Sequence, residues 1–408
     1  MSSLILFDLS RLLSRANQPA ATGIDRVELA YAKQLVATAR DRVSFVALNM
    51  WGQIAQLPFE DSAKFINALD GAWRGNSEET QPRRRVETLA HRVWAHALLH
   101  GERDLVRSVR HWNKIVYVLV SHHHLDRPGV VQRLKRATGA LFVPLIHDLI
   151  PMEFPQYARP GEDARHRRRM ETVARFADAV IANSNTTMQA LESYLRGRNR
   201  RPPVVVAPLG IENHLLTRAD PVLLEKPYFA CVGTIEPRKN HKMLLDVWRT
   251  LQADLGDNAP SLVLLGRRGW MIDHVIEVIE NSNVVSGLVR ELNALPDEEM
   301  KRFVAGARAA LLPSFAEGFG LTMPEALSMG VPALCSDLPS LREIGRDVPE
   351  YLDPHDKSAW YDAVVDYSRL DSGRRQAQSS RLSAWRPPRW EAHFATVQPV
   401  LDGQLARA

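Results

Sequence analysis

The feature that most constrains the fold is an alternation of short apolar strands with helical stretches, which occurs twice along the chain. In the first half, the β-branched apolar runs are at 4–7, 43–48, 115–120, 140–146, 179–182 and 204–207. In the second half, they are at 228–232, 261–265, 309–312 and 332–335. Continuous apolar strands separated by helices indicate parallel sheets that are covered on both faces. The chain is therefore predicted to be an α/β protein with two doubly wound units in tandem.

The length of 408 residues agrees with two units, because single cores rarely grow beyond about 250–300 residues. The first series of strands ends at Pro208-Leu209-Gly210-Ile211, and a polar, proline-containing stretch follows. We predict a domain at 1–208, a linker at 209–226, a second domain at 227–384 and a helical tail at 385–408. The stretch at about 73–112 is rich in arginine, histidine and helix formers, and it is predicted to be a helical insertion.

The cysteines and the first residues of the chain indicate the cellular compartment in which the protein is expected. Cys231 and Cys335 lie about a hundred residues apart in apolar runs, which favours reduced thiols over a disulfide framework or a zinc cluster. The first residues lack a basic segment followed by a long apolar one, and no run of about eighteen apolar residues occurs. We expect a cytoplasmic protein.

Clusters of arginine give the first half a basic surface, although the net charge is only +5. The clusters are at 83–85, 133–136, 165–169 and 196–201. Such runs are usually solvated faces, but they could also hold anionic lipid headgroups or a phosphorylated acceptor. Nucleic acid is the least favoured partner. A peripheral contact with the cytoplasmic face of the inner membrane is one interpretation.

The strongest local signal is the stretch 313–327, where a strand, a glycine-containing turn and a helix follow one another. Gly318 and Gly320 let a ligand approach the backbone, and the helix start offers N–H groups to an anion such as a diphosphate. Glu317 lies on the turn, and Glu325 lies about one helical turn inside the helix, where its carboxylate can reach ribose hydroxyls. The alternative is an ordinary strand-to-helix turn, but two carboxylates around Gly-x-Gly favour a binding site.

This motif resembles that of the retaining glycosyltransferase family 4. The resemblance implies the GT-B fold, in which two Rossmann-like domains face each other with the donor cleft between them. It implies that Glu317 contacts the transferred sugar and that Glu325 contacts the donor ribose. The backbone amides of Phe319, Gly320 and Leu321 would bind the distal part of the diphosphate.

The second signal is Gly233-Thr234-Ile235-Glu236-Pro237-Arg238-Lys239-Asn240, directly after the strand at 228–232. Two adjacent cations on such a loop lie where ligands bind in open α/β sheets, and they would face the diphosphate. The alternative is a solvated surface turn. Many relatives have arginine where this chain has Thr234, so we assign the main charge to Lys239. No Asp-x-Asp loop or metal-ligand spacing occurs, and we expect no metal and no cofactor.

In the first half, His147 and Asp148 follow the strand at 140–146. The resemblance places His147 beside the donor sugar and gives Asp148 the role of orienting it, although a histidine at a strand end is often only structural. Gly23, in Thr-Gly-Ile-Asp-Arg, resembles the glycine loop that approaches the donor diphosphate. The stretch 183–185 is predicted either to line the cleft or to cap a helix.

Three weaker assignments complete the predicted site. Gly266, in Gly-Arg-Arg-Gly-Trp, could support the base or the ribose, and Asn293 lies in a segment expected to contact the base through its backbone. The tail with Trp385 and Trp390 resembles the family's C-terminal helices, which cross back to the first domain.

The resemblance implies transfer of a hexose from a nucleotide sugar with retention of configuration. Relatives offer no clear nucleophile for a double displacement, so a front-face reaction without metal is expected, carried by Glu317, His147, Arg238 and Lys239. The motifs look like those of bacterial surface-polysaccharide mannosyltransferases, and α-mannosyl transfer from GDP-mannose to a saccharide or a lipid-linked saccharide is favoured. UDP-hexose, GDP-fucose and dTDP-rhamnose donors remain alternatives, as does a non-catalytic protein that binds sugar nucleotides.

Overall fold

The computed structural model describes residues 3–75, 81–217, 219–281 and 287–405. Over these residues the chain forms two compact units. Unit 1 comprises Met1–Met152, Asp163–Leu209 and Trp390–Ala408, and unit 2 comprises Glu153–Glu162 and Gly210–Arg389.

Unit 1 is built on a seven-stranded sheet in the order β3-β2-β1-β4-β5-β6-β7. Its strands are β1 (Leu4–Asp8), β2 (Val43–Leu48), β3 (Ile54–Gln56), β4 (Ile115–Leu119), β5 (Leu141–Ile146), β6 (Val180–Ala182) and β7 (Val204–Val206). The pairs are parallel except that of β2 with β3. From β1 the sheet grows in one direction through β2 and β3 and in the opposite direction through β4 to β7. The switch point of this sheet therefore lies at the carboxyl ends of β1 and β4.

Helices separate these strands. They are α1 (Ser10–Ser14), α2 (Gly23–Thr38), α3 (Phe59–Arg74), α4 (Pro82–Leu99), α5 (Glu102–Val109), α6 (Pro128–Thr138), α7 (Ile150–Glu153), α8 (Glu162–Phe176) and α9 (Asn185–Leu195). Local sequence sets several of their ends. Thr22 and Asp25 form a capping box at the start of α2, and Gly139 ends α6 in a left-handed conformation.

Unit 2 has a six-stranded, fully parallel sheet in the order β10-β9-β8-β11-β12-β13. Its strands are β8 (Tyr228–Val232), β9 (Ser261–Leu265), β10 (Val289–Leu292), β11 (Ala310–Leu312), β12 (Ala333–Ser336) and β13 (Glu350–Leu352). Its helices are α10 (His241–Leu255), α11 (Asp273–Asn281), α12 (Asp297–Gly306), α13 (Thr322–Ser328), α14 (Pro339–Gly345), α15 (Lys357–Ser368) and α16 (Gly373–Ala384). This strand order is that of a Rossmann fold, with its switch point between β8 and β11.

The last helix, α17 (Trp390–Leu401), packs on unit 1. Its His393 donates or accepts a 2.6 Å hydrogen bond with the Tyr31 hydroxyl of α2, and Phe394 packs edge-on against the same ring. Short 3₁₀ turns are found at Arg40–Arg42, Pro155–Tyr157, Asn213–Leu216, Pro237–Lys239 and Gly256–Asn258.

Each unit has its own apolar core. In unit 1, Leu6, Tyr117 and Phe142 from three neighbouring strands are fully buried together. In unit 2, Phe229 packs edge-on against Trp248 of α10, and Trp360 of α15 is fully buried in the same cluster. The α/β prediction with two parallel-sheet units is confirmed, and Cys231 and Cys335 are buried and unpaired.

The sequence missed β3, β10 and β13, which are short and lie at the edges of the two sheets. Val289-Arg-Glu-Leu and Glu350-Tyr-Leu are only partly buried, so they lack the continuous apolar character that identified the central strands. The stretch predicted as a helical insertion contains α4 and α5, and its residues 76–80 lie outside the described ranges.

The units differ from the predicted boundaries in three places. Residues 153–162 belong to unit 2 although unit 1 residues precede and follow them, and the change to the tail comes at Trp390 rather than at 385. Part of the predicted linker packs on unit 2, because the Lys301 ammonium donates to the His214 carbonyl and to the Thr217 hydroxyl. Within the described ranges, no helix is long and apolar enough to cross a membrane.

Candidate functional site

Two loops of unit 2 carry the strongest predicted residues. One follows β8 and holds Arg238 and Lys239, and the other follows β11 and holds Glu317. Because β8 and β11 are neighbours at the switch point, both loops leave the sheet at the place where ligands bind in open α/β folds.

Glycines allow the loops at this edge to approach each other. A Cβ atom on Gly266 would lie 2.0 Å from the Gly233 carbonyl oxygen, and Gly233 itself has a φ of +138°. A Cβ atom on Gly233 would lie 3.4 Å from Cε of Lys239, whose side chain runs across this glycine. Glycine is therefore required at both positions, and the predicted site residue Gly266 acts by leaving room for the β8 loop.

Glu317 is the centre of a buried ion-pair cluster. Its Oε1 accepts from the Lys239 ammonium at 2.6 Å and from the Ser314 hydroxyl at 2.7 Å, and its Oε2 lies 2.9 Å from the Arg238 guanidinium. The Glu317 side chain is 7% exposed. The structure thus brings together three residues that the sequence singled out, from loops 78 residues apart.

The cluster keeps Glu317 ionised. Burial alone would raise its pKa, but the charges of Arg238 and Lys239 and the hydrogen bonds from Lys239 and Ser314 lower the pKa to about 2. A carboxylate with this pKa does not exchange protons near neutral pH. Glu317 can therefore offer fixed negative charge and oxygen acceptors, but not a proton.

Arg238 and Lys239 are held differently. Arg238 donates to Glu236 through two nitrogens, at 2.7 and 3.0 Å, and to the Ala316 carbonyl at 2.6 Å, while its own carbonyl accepts from the Phe315 amide. It therefore ties the two loops together. The Lys239 ammonium has three N–H groups, and the Glu317 contact uses one of them, so Lys239 is the better suited of the two to meet an anion.

The loop after β11 reaches α13 through a constrained turn. Gly320 has a φ of +74°, and a Cβ atom there would lie 2.3 Å from Cδ2 of Leu341, so a side chain is excluded. Phe319 is buried and Gly318 and Leu321 flank the turn, while Glu325 lies in the first turn of α13 and is 8% exposed. The Thr322 hydroxyl at the start of α13 is buried and has no hydrogen-bond partner in the described part of the chain.

The remaining predicted donor residues of unit 2 lie along the same sheet edge. Thr234 follows Gly233 directly, and its Cγ2 would be 2.8 Å from a Cβ atom on Gly269. Asn293 is exposed after β10, two strands away from β8. The structure therefore places Thr234 close to the Glu317 cluster and Asn293 at the outer side of the sheet.

An aromatic cluster beside Glu317 was not predicted. Tyr157 stacks on Phe315 at 5.0 Å with ring planes 5° apart, and the Trp270 indole N–H donates to the Tyr157 carbonyl at 3.1 Å. The Arg159 guanidinium lies over the Trp270 ring at 4.7 Å. Residues 153–162 thus pack on the loop that carries Glu317. A local sequence pattern could not predict this packing, because the partners are more than a hundred residues away in sequence.

In unit 1, His147 follows β5 and is almost completely buried. Its Nε2 donates to the Val120 carbonyl at 2.8 Å, so in this tautomer Nδ1 carries the lone pair. Burial lowers the pKa of His147 to about 4, and the bond to Val120 only partly offsets this effect. The ring is therefore neutral near pH 7, and its Nδ1 can accept a hydrogen bond without taking up a proton.

The neighbours of His147 differ in part from the prediction. Asp148 does not orient the ring by a direct hydrogen bond, because its Oδ1 accepts from the Ile150 amide while Val120 orients the ring. The Asn183 amide supports the strand end by donating to the His147 carbonyl at 2.9 Å. Ser184 caps α9, and Gly23 is the first residue of α2.

A second unpredicted cluster lies at the switch point of the unit 1 sheet. The Tyr117 hydroxyl donates to Asp8 at 2.9 Å and contacts Nε2 of His124 at 2.8 Å, and all three side chains are buried. Within the described residues, no group of three or more His, Cys, Asp or Glu side chains is arranged to hold a metal ion.

Comparisons with known proteins show which family and which solved structures this chain is similar to. Residues 226–369 match the family described as "Glycosyl transferases group 1". The chain is 28% identical over 387 residues to the O-antigen chain mannosyltransferase B of Escherichia coli, which covers 91% of this chain and 93% of the relative.

Solved structures of similar fold include Anabaena HepE in complex with UDP-glucose, with a TM-score of 0.60, 15% identity and coverage of 97% of this chain and 98% of that one. The α,α-trehalose 6-phosphate synthase of Burkholderia multivorans aligns with a TM-score of 0.62, 12% identity and coverage of 99% and 97%. Residues 226–369 are therefore a group 1 glycosyltransferase domain, and the chain is a glycosyltransferase with the GT-B fold.

Proposed function

We propose that this glycosyltransferase transfers an α-mannosyl group from GDP-mannose to a saccharide or lipid-linked saccharide in O-antigen biosynthesis, with retention of configuration. The sugar and the pathway are supported by the relative from Escherichia coli, whose match extends over nearly all of both chains. The observation that carries the proposal is the buried cluster in which Lys239 and Arg238 hold Glu317 ionised at the switch point of unit 2.

In this proposal, the diphosphate of the donor lies at the start of α13, beside the amides of Phe319, Gly320 and Leu321. Lys239 contributes the fixed positive charge that stabilises the nucleoside diphosphate as it leaves. Glu325, one turn into α13, binds the ribose hydroxyls. Glu317 accepts hydrogen bonds from the sugar, since its pKa excludes a role as general acid.

The proposed reaction is a front-face displacement. The bond between the anomeric carbon and the phosphate oxygen breaks, and the acceptor hydroxyl forms a new bond to that carbon from the same side. The acceptor proton passes to the departing phosphate oxygen, so no side chain needs to take it. His147 of unit 1, a further candidate for this reaction, has a neutral ring whose Nδ1 can accept a hydrogen bond, in agreement with its lowered pKa.

Product analysis tests this function. The purified protein is incubated with GDP-mannose, UDP-glucose, GDP-fucose or dTDP-rhamnose in separate reactions with an octyl α-mannoside acceptor, and the product is examined by mass spectrometry and by NMR of the anomeric proton. We expect an α-linked mannosyl product only with GDP-mannose. A β-linked product would refute retention, and a product from another donor would refute the assignment of mannose.

The alternative of a non-catalytic binding protein makes a different prediction. Such a protein would be stabilised by a sugar nucleotide without consuming it. If GDP-mannose raised the melting temperature but neither transfer nor hydrolysis of the donor were detected, the Glu317 cluster would serve binding alone.

A further inference from the structure

Unit 1 exposes large apolar side chains at one corner of its surface. Of the described residues, seven large hydrophobic side chains are exposed, and four of them lie at this corner. They are Met50 (75% exposed), Trp51 (60%), Leu98 (38%) and Leu99 (81%). We call these four residues the apolar corner.

Hydrogen bonds hold the two parts of the apolar corner together. Met50 and Trp51 lie in the turn between β2 and β3, and Leu98 and Leu99 end α4. The Asn49 side-chain amide donates to the Ala97 carbonyl at 3.3 Å, and its oxygen accepts from the amides of Trp51 and Gln53. The four apolar side chains are therefore presented by a fixed turn and a helix end.

One cation lies beside the apolar corner, and others follow on α5. The Arg133 guanidinium donates to the Gly52 carbonyl at 2.6 Å, directly beside Trp51. Arg103 and Arg107, which follow on α5, are exposed. The nearby Asp104 carboxylate is engaged with the Gly101 amide and lies 3.5 Å from Arg107, so the balance of charge at this edge is positive.

We propose that the apolar corner inserts into the headgroup region of an anionic phospholipid bilayer. Trp and Leu favour the boundary between headgroups and acyl chains, and arginines beside them meet lipid phosphates. This inference does not rest on the donor or acceptor of the proposed reaction.

The area of the apolar corner argues against a second protein as its occupant. Four partly exposed side chains offer on the order of 500 Å², if each has roughly 200 Å² in total. A stable protein interface needs about 800 Å² from each partner. Exposed apolar side chains on a turn also suit a deformable lipid surface.

Vesicle flotation tests the inference. The full chain is mixed with vesicles of phosphatidylcholine alone or of phosphatidylcholine and phosphatidylglycerol in equal amounts. The double variant Trp51→Ser/Leu99→Ser is compared with Leu223→Ser/Leu370→Ser, whose two leucines are 80% and 88% exposed in unit 2. Thermal unfolding of each variant checks that it is folded.

We expect the wild type and the control variant to float with the mixed vesicles. The apolar-corner variant should bind about tenfold more weakly, because two inserting side chains are lost. Arg133→Gln should weaken binding to the mixed vesicles about fivefold and leave binding to phosphatidylcholine unchanged.

Three results would overturn the inference. The first is equal flotation of the wild type and the apolar-corner variant, and the second is no flotation of either. The third is a wild-type dimer that the apolar-corner substitutions convert to a monomer in light scattering, which would make this surface a protein interface. Transfer to a soluble acceptor should be unchanged in the apolar-corner variant, so a failure of the proposed reaction appears separately.

Discussion

Replacement of Glu317 by glutamine tests how the candidate site is held together. Glutamine keeps the size of the side chain and one acceptor oxygen, but it removes the negative charge that lies 2.6 Å from Lys239 and 2.9 Å from Arg238. Arg238 retains Glu236 as a partner, whereas Lys239 loses its carboxylate in a site where its side chain is 13% exposed.

Two estimates of the stability lost in Glu317→Gln agree. The fall in the Glu317 pKa from 4.5 to about 2 corresponds to about 3 kcal/mol in favour of the charged form. Removal of one partner of a buried ion pair typically costs about 3–5 kcal/mol. For a unit of this size, a loss of 3 kcal/mol lowers the melting temperature by about 6 °C or more.

Differential scanning calorimetry at neutral pH measures this loss. The matched control is Glu280→Gln, whose side chain is 50% exposed and pairs with Arg268, and which should change stability by less than about 0.5 kcal/mol. Since the folded-state pKa of Glu317 is lowered, its contribution is complete above pH 4.5 and is lost as the pH falls towards 2. If Glu317→Gln melts with the wild type at pH 7, Glu317 is not a buried partner of these cations.

Three further predictions concern the surroundings of the site. Tyr157→Ala should raise the KM for the sugar nucleotide more than Tyr157→Phe, because only alanine removes the ring that stacks on Phe315; equal KM values in steady-state assays would contradict this. Gly266→Ala should destabilise unit 2 by about 1–3 kcal/mol in thermal unfolding through its clash with Gly233, whereas Gly373→Ala, which meets no atom within 4 Å, should not. Stability should rise with pH between about 4 and 6.5, because burial lowers the pKa values of several histidines and the unfolded chain binds their protons first. These include His123, His147 and His393, at about 4, and His241, at about 3. Glu28, whose pKa burial raises to about 8, opposes one of them, so a net rise in stability with pH is expected near pH 5.5, and a flat melting temperature there would refute it.

The sequence was sufficient for the central strands and for the loops that follow them. Both depend on local pattern, since a continuous apolar run predicts a buried parallel strand and its carboxyl end predicts where a ligand binds. Glu317, Arg238 and Lys239 were found in this way, and the structure brings them within hydrogen-bond distance.

Contacts between distant parts of the chain could not be predicted. The cations were expected to face a diphosphate, but a carboxylate from the other loop engages both of them. The stacking of Tyr157 on Phe315 joins residues that no periodicity relates. Val120, rather than the adjacent Asp148, orients the His147 ring, because Nε2 donates to the Val120 carbonyl while the Asp148 carboxylate accepts from the Ile150 amide.

Calorimetric titration with nucleoside diphosphates tests the central claim most directly. Lys239→Met removes the ammonium next to Glu317, and Lys242→Met removes a nearby ammonium that is 65% exposed and pairs with Asp246. We predict that GDP binds the wild type and Lys242→Met equally and binds Lys239→Met about 10- to 100-fold more weakly, as expected for the loss of one charged hydrogen bond. Equal binding to Lys239→Met, or no binding of any nucleoside diphosphate to the wild type, would contradict the assignment of this site to the donor.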